Sequence, residues 1–344
     1  MKHAFITGAA GFIGGYAVRE FVEQGWHVFA LVHRKTSAVL DELAASGSVT
    51  IVQGDLSDFA ELERDLREQL ESRGVMLDAI VHCAGRASDV GRRDEFRRTN
   101  FESVQNLSGI VEHLDVGQFV FVSTTDVYGL RNFNGESEDE LPLQDNIRNP
   151  YPEFKIAAEE WILKTLPPER YSIIRPTAVW GVGDPTLTPR IVSFLKSSPW
   201  IIHFGKWQGS NRWPLAHVRN VATAIYLAAT LQEAAGSAVN VLDSEITTIE
   251  EFYRIVASVY LPEKRLRSVT LPMWIGKAFG TVVSSISNTL NLDHPFTDPS
   301  LYALYSVASN LDFSNERFLH LLKRGNRRIV SRDEGVDELR SKSS

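Results

Sequence analysis

Cysteine is almost absent from this chain. Cys83 is the only one among 344 residues, which excludes an internal disulfide framework and fits a reducing compartment. It falls in an apolar run, where a lone thiol is expected to pack as a small hydrophobe. Metal-ligand spacing is missing too: the 9 histidines form no HExxH or clustered pattern, so no metal site is expected. Long Lys/Arg runs are also absent, and with a formal net charge of -7 the chain lacks the basic face that a nucleic-acid partner would need. The densest basic cluster, Arg92-Arg93 with Arg97-Arg98, is expected to be a solvated helix face. No transmembrane segment is expected. The apolar stretch Trp274 to Ile286 contains Lys277, falls short of the roughly 20 residues that span a bilayer, and is read as a pocket or core helix. Lys2 to Thr7 leads straight into a glycine turn without a signal-peptide pattern, which makes the cytoplasm the default location.

What the chain does have is enough apolar residue, 43%, to bury a large core. His3-Thr7, His27-His33, Thr50-Gly54, Asp78-Ala84, Gln118-Ser123, Tyr171-Arg175 and Ala238-Leu242 read as strands separated by amphipathic stretches. The near-continuous apolar character of Ala79-Ile80-Val81 and Phe119-Val120-Phe121-Val122 predicts strands covered on both faces. The expected fold is α/β, a Rossmann-type doubly wound parallel sheet with a smaller, discontinuous substrate-binding lobe. Residues 1-175, with 213-242 returning to the sheet, are assigned to the dinucleotide-binding domain. The segments 176-212 and 243-344, where prolines recur and most of the tryptophans fall, are assigned to the second lobe.

Gly8-Ala9-Ala10-Gly11-Phe12-Ile13-Gly14 follows the first strand and opens a helix over Phe12 to Gln24. Glycines at that spacing let the backbone approach a pyrophosphate, and the helix N-terminus offers unpaired N–H groups and a positive dipole end. Gly8, Ala10, Gly11, Phe12, Ile13 and Gly14 are therefore candidate cofactor contacts. An acidic residue usually stands at the end of the second strand and bonds the ribose 2′-hydroxyl. Here Val32-His33-Arg34-Lys35 takes its place, which predicts a preference for NADP over NAD through His33 and Arg34. Asp55 and Leu56 after the third strand are placed to meet the adenine, and Cys83-Ala84-Gly85 after the fourth lies beside the dinucleotide.

Proton chemistry is suggested by Tyr151 and Lys155. A tyrosine has a pKa of about 10 and is a poor base near neutrality unless a cation favours its phenolate. If the segment after Pro152 is helical, positions 151 and 155 share one face. Ser123 and Thr124 end an apolar strand, where sheet proteins of this class bind ligands, and the Thr124 hydroxyl suits a substrate oxygen that gains or loses charge. The expected step is hydride exchange at a carbinol or carbonyl carbon, with Tyr151 passing the proton.

At these residues the chain resembles the extended short-chain dehydrogenase/reductase family. TGAAGFIG, VSTTDVYG at Val122 to Gly129, YPEFK, RPTAVWG at Arg175 to Gly181 and HVRNVA at His217 to Ala222 carry the resemblance over almost the whole length. It implies that Thr124, Tyr151 and Lys155 are catalytic, that Asn100 lies on the helix behind the cofactor, and that Pro176 to Val179 lie near the nicotinamide. Within the family the chain looks most like the 3β-hydroxysteroid dehydrogenase-like branch, on His82-Cys-Ala-Gly-Arg-Ala-Ser-Asp89 and Leu271-Pro-Met-Trp-Ile275. That branch implies an apolar small-molecule substrate, with Arg86 and Thr125 as further substrate contacts. The alternative is a nucleotide-sugar epimerase or reductase, in which Arg212 would meet the substrate pyrophosphate. A sugar 4,6-dehydratase is disfavoured by Thr125-Asp126 where those enzymes carry Asp-Glu. A third possibility, a non-catalytic dinucleotide sensor, is opposed by the retention of Thr124, Tyr151 and Lys155. The family also implies a possible homodimer, for which Val104, Leu107, Ile110 and Val111 are candidates for an exposed stripe, with the core as the equal alternative for all four.

Overall fold

The computed structural model describes residues 1–88, 91–146, 148–290 and 301–343, and their side chains except at 282–290 and 343. Its strands are β1 (His3–Thr7), β2 (His27–Val32), β3 (Val49–Gln53), β4 (Ala79–His82), β5 (Gln118–Val122), β6 (Tyr171–Pro176), β7 (Ala178–Trp180), β8 (Trp200–Phe204), β9 (Leu215–His217), β10 (Ala238–Val241) and β11 (Arg267–Leu271). Seven of them form one parallel sheet in the order β10-β6-β5-β4-β1-β2-β3. All seven apolar runs of the sequence are in it, so the doubly wound fold is the one that forms. β7 pairs with β9, and β8 with β11, as two small outlying sheets.

The order reverses between β1 and β4, which pair in register from Ala4 opposite Ala79 to Thr7 opposite His82. A crevice opens beyond the carboxyl ends of these two strands, because the chains leaving them turn toward opposite sides of the sheet. Gly8 and Cys83 are the first residues past those ends.

Each sheet face has its own core. On one, Ala17 and Phe21 of the helix Phe12–Glu23 pack with Val221, Ala224 and Ile225 of the helix Val218–Thr230. Phe318, Leu321 and Leu322 of the helix Glu316–Arg324 join the same cluster, so part of the segment after 243 packs on the sheet as well. On the other face lie Leu62, Leu66 and Leu70, then Val104, Leu107, Ile110 and Val111, then Ala158 and Ile162. The stripe expected to be exposed for a homodimer is therefore buried: its members have no exposed surface. Spacing of three and four residues marks one face of a helix, and here that face meets the sheet, where burying each large aliphatic side chain contributes about 1.5–3 kcal/mol.

Large rings outside these two faces, among them Trp180, Trp213 and Phe252, form a third core. The stretch from Trp274 departs from the expected core helix. It lies in the helix Met273–Leu290, but Trp274 is 69% and Phe279 57% exposed; Met273 and Lys277 line a cavity on its other side. The side chains of residues 282–286 lie outside the description, as does Asp89. The arginine cluster is charge-matched, with Arg92 and Arg98 on Asp94, Arg93 on Glu153 and Arg97 on Glu102. Among the described residues no helix is long and apolar enough to cross a membrane.

Candidate active site

The glycine turn fits a dinucleotide on three observations. Gly8 has φ +66°, and a Cβ there would lie 2.7 Å from the Ala84 nitrogen; one on Gly14 would lie 2.1 Å from the Gly8 carbonyl oxygen. The helix behind the turn starts after Gly11 with no side-chain cap and no acidic residue in its first turn, so its N–H groups and dipole end are left for an anion. Ser123 Oγ, buried just past β5, has no hydrogen-bond partner among the described residues. Gly14→Ala is expected to abolish saturable dinucleotide binding, because backbone rather than a flexible side chain would have to move. Titration of NADPH against protein fluorescence checks this; affinity within twofold of wild type would contradict it.

A directed hydrogen-bond chain ties the two sides of the crevice together. Ser103 spends its hydroxyl proton on the Thr99 carbonyl (2.8 Å), so it accepts from His82 Nε2 at 3.1 Å. Nδ1 of His82 must then accept from the Thr7 hydroxyl at 2.7 Å, and Thr7 Oγ1 accepts from the Ala84 N–H at 3.2 Å. That order demands a neutral ring. Burial, followed by the nearby Lys155 ammonium, pushes its pKa down to about 3. Asn100 grips the next residue from both ends, accepting from the Arg86 N–H at 2.7 Å and donating to the Arg86 carbonyl at 3.0 Å. The Cys83-Ala84-Gly85 loop is thus held from β1 and from the helical turn that carries Asn100.

The helix Pro150–Thr165 brings up the proton-transfer candidates. It begins earlier than the sequence suggests, because Asn149 caps it by accepting from the Tyr151 N–H at 2.9 Å and Pro150 occupies its first position. Lys155, four residues after Tyr151, is buried; its Nζ donates to the Val122 carbonyl at 2.8 Å and lies 4.6 Å above the Phe121 ring. Burial lowers its pKa to about 8, with Cys83 and Glu159 acting in the opposite direction. The Tyr151 phenol is held above its ordinary value by burial first and by the Asp126 carboxylate second, while its hydrogen bond with Thr124 works the other way. Thr124 Oγ1 also accepts from the Asp126 N–H at 3.2 Å.

Asp126 and Tyr302 are site residues that sequence reasoning passed over. The Tyr302 hydroxyl donates to Asp126, whose carboxyl is buried and shifted upward. Tyr302 belongs to no motif, and only the fold brings it across 176 positions.

Behind the helix, Arg175 of β6 donates from Nε to Glu159 at 3.1 Å, from a second nitrogen to the same carboxylate, and from a third to the Tyr128 hydroxyl at 2.7 Å. Tyr128 donates onward to Asn240 of β10 at 2.8 Å. The active-site helix, two strands and the turn after β5 are therefore locked to one buried polar network.

The remaining predicted contacts are distributed unevenly. His33 Nε2 is 3.1 Å from Asp55, whose carboxyl is lowered first by the Ser57 N–H. Leu56 is partly buried, with its carbonyl bonded by Asn106. Pro176 ends β6, and Val179 packs against the sheet core. Cys83 is partly buried just past β4, and its thiol is pushed up to about 12 by burial. Thr125 is buried in the turn after β5. Arg86 is paired with Glu95 at 2.5 Å. Arg212 is half-exposed and pairs with Asp312 at 2.5 Å.

With this geometry established, comparison with known proteins shows what the chain is similar to. The model of the NAD dependent epimerase/dehydratase family matches residues 4–241. A 2-alkyl-3-oxoalkanoate reductase of Shewanella oneidensis is 28% identical over 211 residues, 56% of this chain and 49% of that protein. The chain thus aligns with about half the length of that relative. A sterol-4-alpha-carboxylate 3-dehydrogenase, decarboxylating, of Dictyostelium discoideum is 28% identical over 237 residues, 66% of this chain and 67% of that one. In fold, the UDP-glucuronic acid 4-epimerase of Bacillus cereus, solved with UDP-glucuronic acid and NAD, superposes with a TM-score of 0.71 at 17% identity, covering 99% and 98% of the two chains.

Proposed function

Because the chain belongs to the NAD dependent epimerase/dehydratase family, we propose that it moves a hydride between a nicotinamide dinucleotide and an oxygen-bearing carbon of an apolar substrate. The observation that carries this is the convergence of Thr124, Tyr151 and buried Lys155 beyond β5, beside a glycine turn that a Cβ would block. Bound in the crevice, the nicotinamide supplies or accepts the hydride. Thr124 bonds the substrate oxygen, and Tyr151 moves its proton. Held in its neutral form by burial and by Asp126, the phenol is set up to donate, which is the reductive direction. Lys155, fixed by Val122, would supply positive charge beside the bound cofactor. Two relatives named for an oxoalkanoate and a sterol support an apolar skeleton.

NADP is the proposed cofactor. Arg34 is exposed after β2, within electrostatic reach of Asp55 but in no ion pair among the described residues, so its guanidinium can turn to a 2′-phosphate. Arg34→Ala is expected to weaken NADPH about 10-fold to 100-fold, the value of a charge-assisted bond, and NADH by less than twofold. Parallel titrations of both dinucleotides test it, and equal losses would contradict it.

A further inference from the structure

One cavity outside the dinucleotide crevice has an unusual charge. It measures 430 Å³, and among the described residues its walls include Arg131, Lys206 and Lys277 but no Asp or Glu. In a chain of net charge -7 that concentration is not the local average. None of the three cations has a carboxylate partner among the described residues. Each lies over an aromatic ring instead: Arg131 4.6 Å from the Phe133 centroid, Lys206 4.8 Å from Trp207 and Lys277 5.4 Å from Tyr305. A ring face steadies a cation without cancelling its charge, so all three remain able to meet an anion.

The walls are cross-braced. Asn132 Oδ1 accepts from Trp207 Nε1 at 3.1 Å and from the Asn310 N–H at 2.9 Å, joining three separate segments of chain. Ser309 lines the cavity and is 6% exposed.

The chamber adjoins the candidate catalytic centre. Tyr302, which bonds Asp126, and Tyr305 in the chamber wall are three residues apart on the helix Leu301–Ala308, about 4.5 Å along its axis. Leu130 in the opposite wall follows Tyr128 by two residues. We propose that this chamber seats the anionic end of the substrate, a carboxylate or a phosphate on an apolar body, while the reacting carbon lies at Tyr151. The cations take the anion, Ser309 donates to it, and Trp207 and Tyr305 cover the adjoining carbons. This assignment of substrate class rests on the proposed hydride transfer, but the chamber can be tested without turnover.

The test is calorimetric titration of the NADPH-loaded protein with octanoate, octyl phosphate and octanol, repeated on R131Q/K206Q/K277Q. All three substituted residues are exposed, and the variant's melting curve is recorded to verify that it folds. The expected result is that at least one anion binds at least about tenfold more tightly than octanol, and that this advantage disappears in the variant; the tighter of the two anions identifies the group. Equal binding of octanol and both anions, or an anion preference that survives in the variant, overturns the proposal. A Tyr151→Phe protein that keeps wild-type turnover would sink the hydride-transfer reading while leaving the calorimetry interpretable, so the two failures are distinct.

Discussion

Replacing Tyr151 with phenylalanine is expected to lower turnover by about 10²-fold to 10⁴-fold, the usual contribution of a positioned acid or base, with NADPH affinity unchanged. The hydroxyl is the only atom removed. It is bonded to Thr124 and held protonated by burial first and by Asp126 second. The ring keeps its place because the helix is capped at Asn149 and pinned deeper by Glu159. A loss in both turnover and dinucleotide affinity would point to a structural role for the hydroxyl. Unchanged turnover would remove Tyr151 as the proton donor.

The second large effect is on stability. Arg175 and Glu159 have side chains 7% and 0% exposed. Truncating Arg175 to alanine leaves a buried carboxylate without its partner, at a cost of about 3–5 kcal/mol. It also leaves the Tyr128 hydroxyl without the guanidinium that donates to it. The expected outcome is a lower urea midpoint with an unchanged slope, since the surface exposed on unfolding does not change. The double replacement Arg175→Met with Glu159→Leu removes both charges together, and is expected to cost less than the single truncation. A double variant that is worse than Arg175→Ala would mean that the pair itself, rather than the orphaned charge, stabilises the fold.

The sequence made the sheet and the glycine turn legible because both are local. Continuous apolar runs such as Phe119-Val120-Phe121-Val122 can only be strands covered on two faces, and a glycine triplet between a strand and a helix has one common use. Orientation was less legible. The spacing of Val104, Leu107, Ile110 and Val111 marks one face of a helix but does not say whether that face meets the sheet or a second chain, and it meets the sheet. The charge on Arg212 was visible, but its cancellation by Asp312, 100 positions away, was not. The same holds for Asp126 with Tyr302, and for the three cations of the second cavity, which come together only when 131, 206 and 277 are folded side by side. Non-local pairing of charged and polar side chains leaves no period and no motif.

The reading of this chain as a reductase that exchanges its cofactor is tested most directly by incubating it with NADP⁺ and NAD⁺ together, removing unbound dinucleotide by gel filtration, and quantifying what is retained by mass spectrometry after denaturation. The predicted result is close to one NADP per chain, displaced by a chase of excess NADPH. Retention of NAD that resists the chase would contradict it and favour an epimerase that recycles a trapped cofactor.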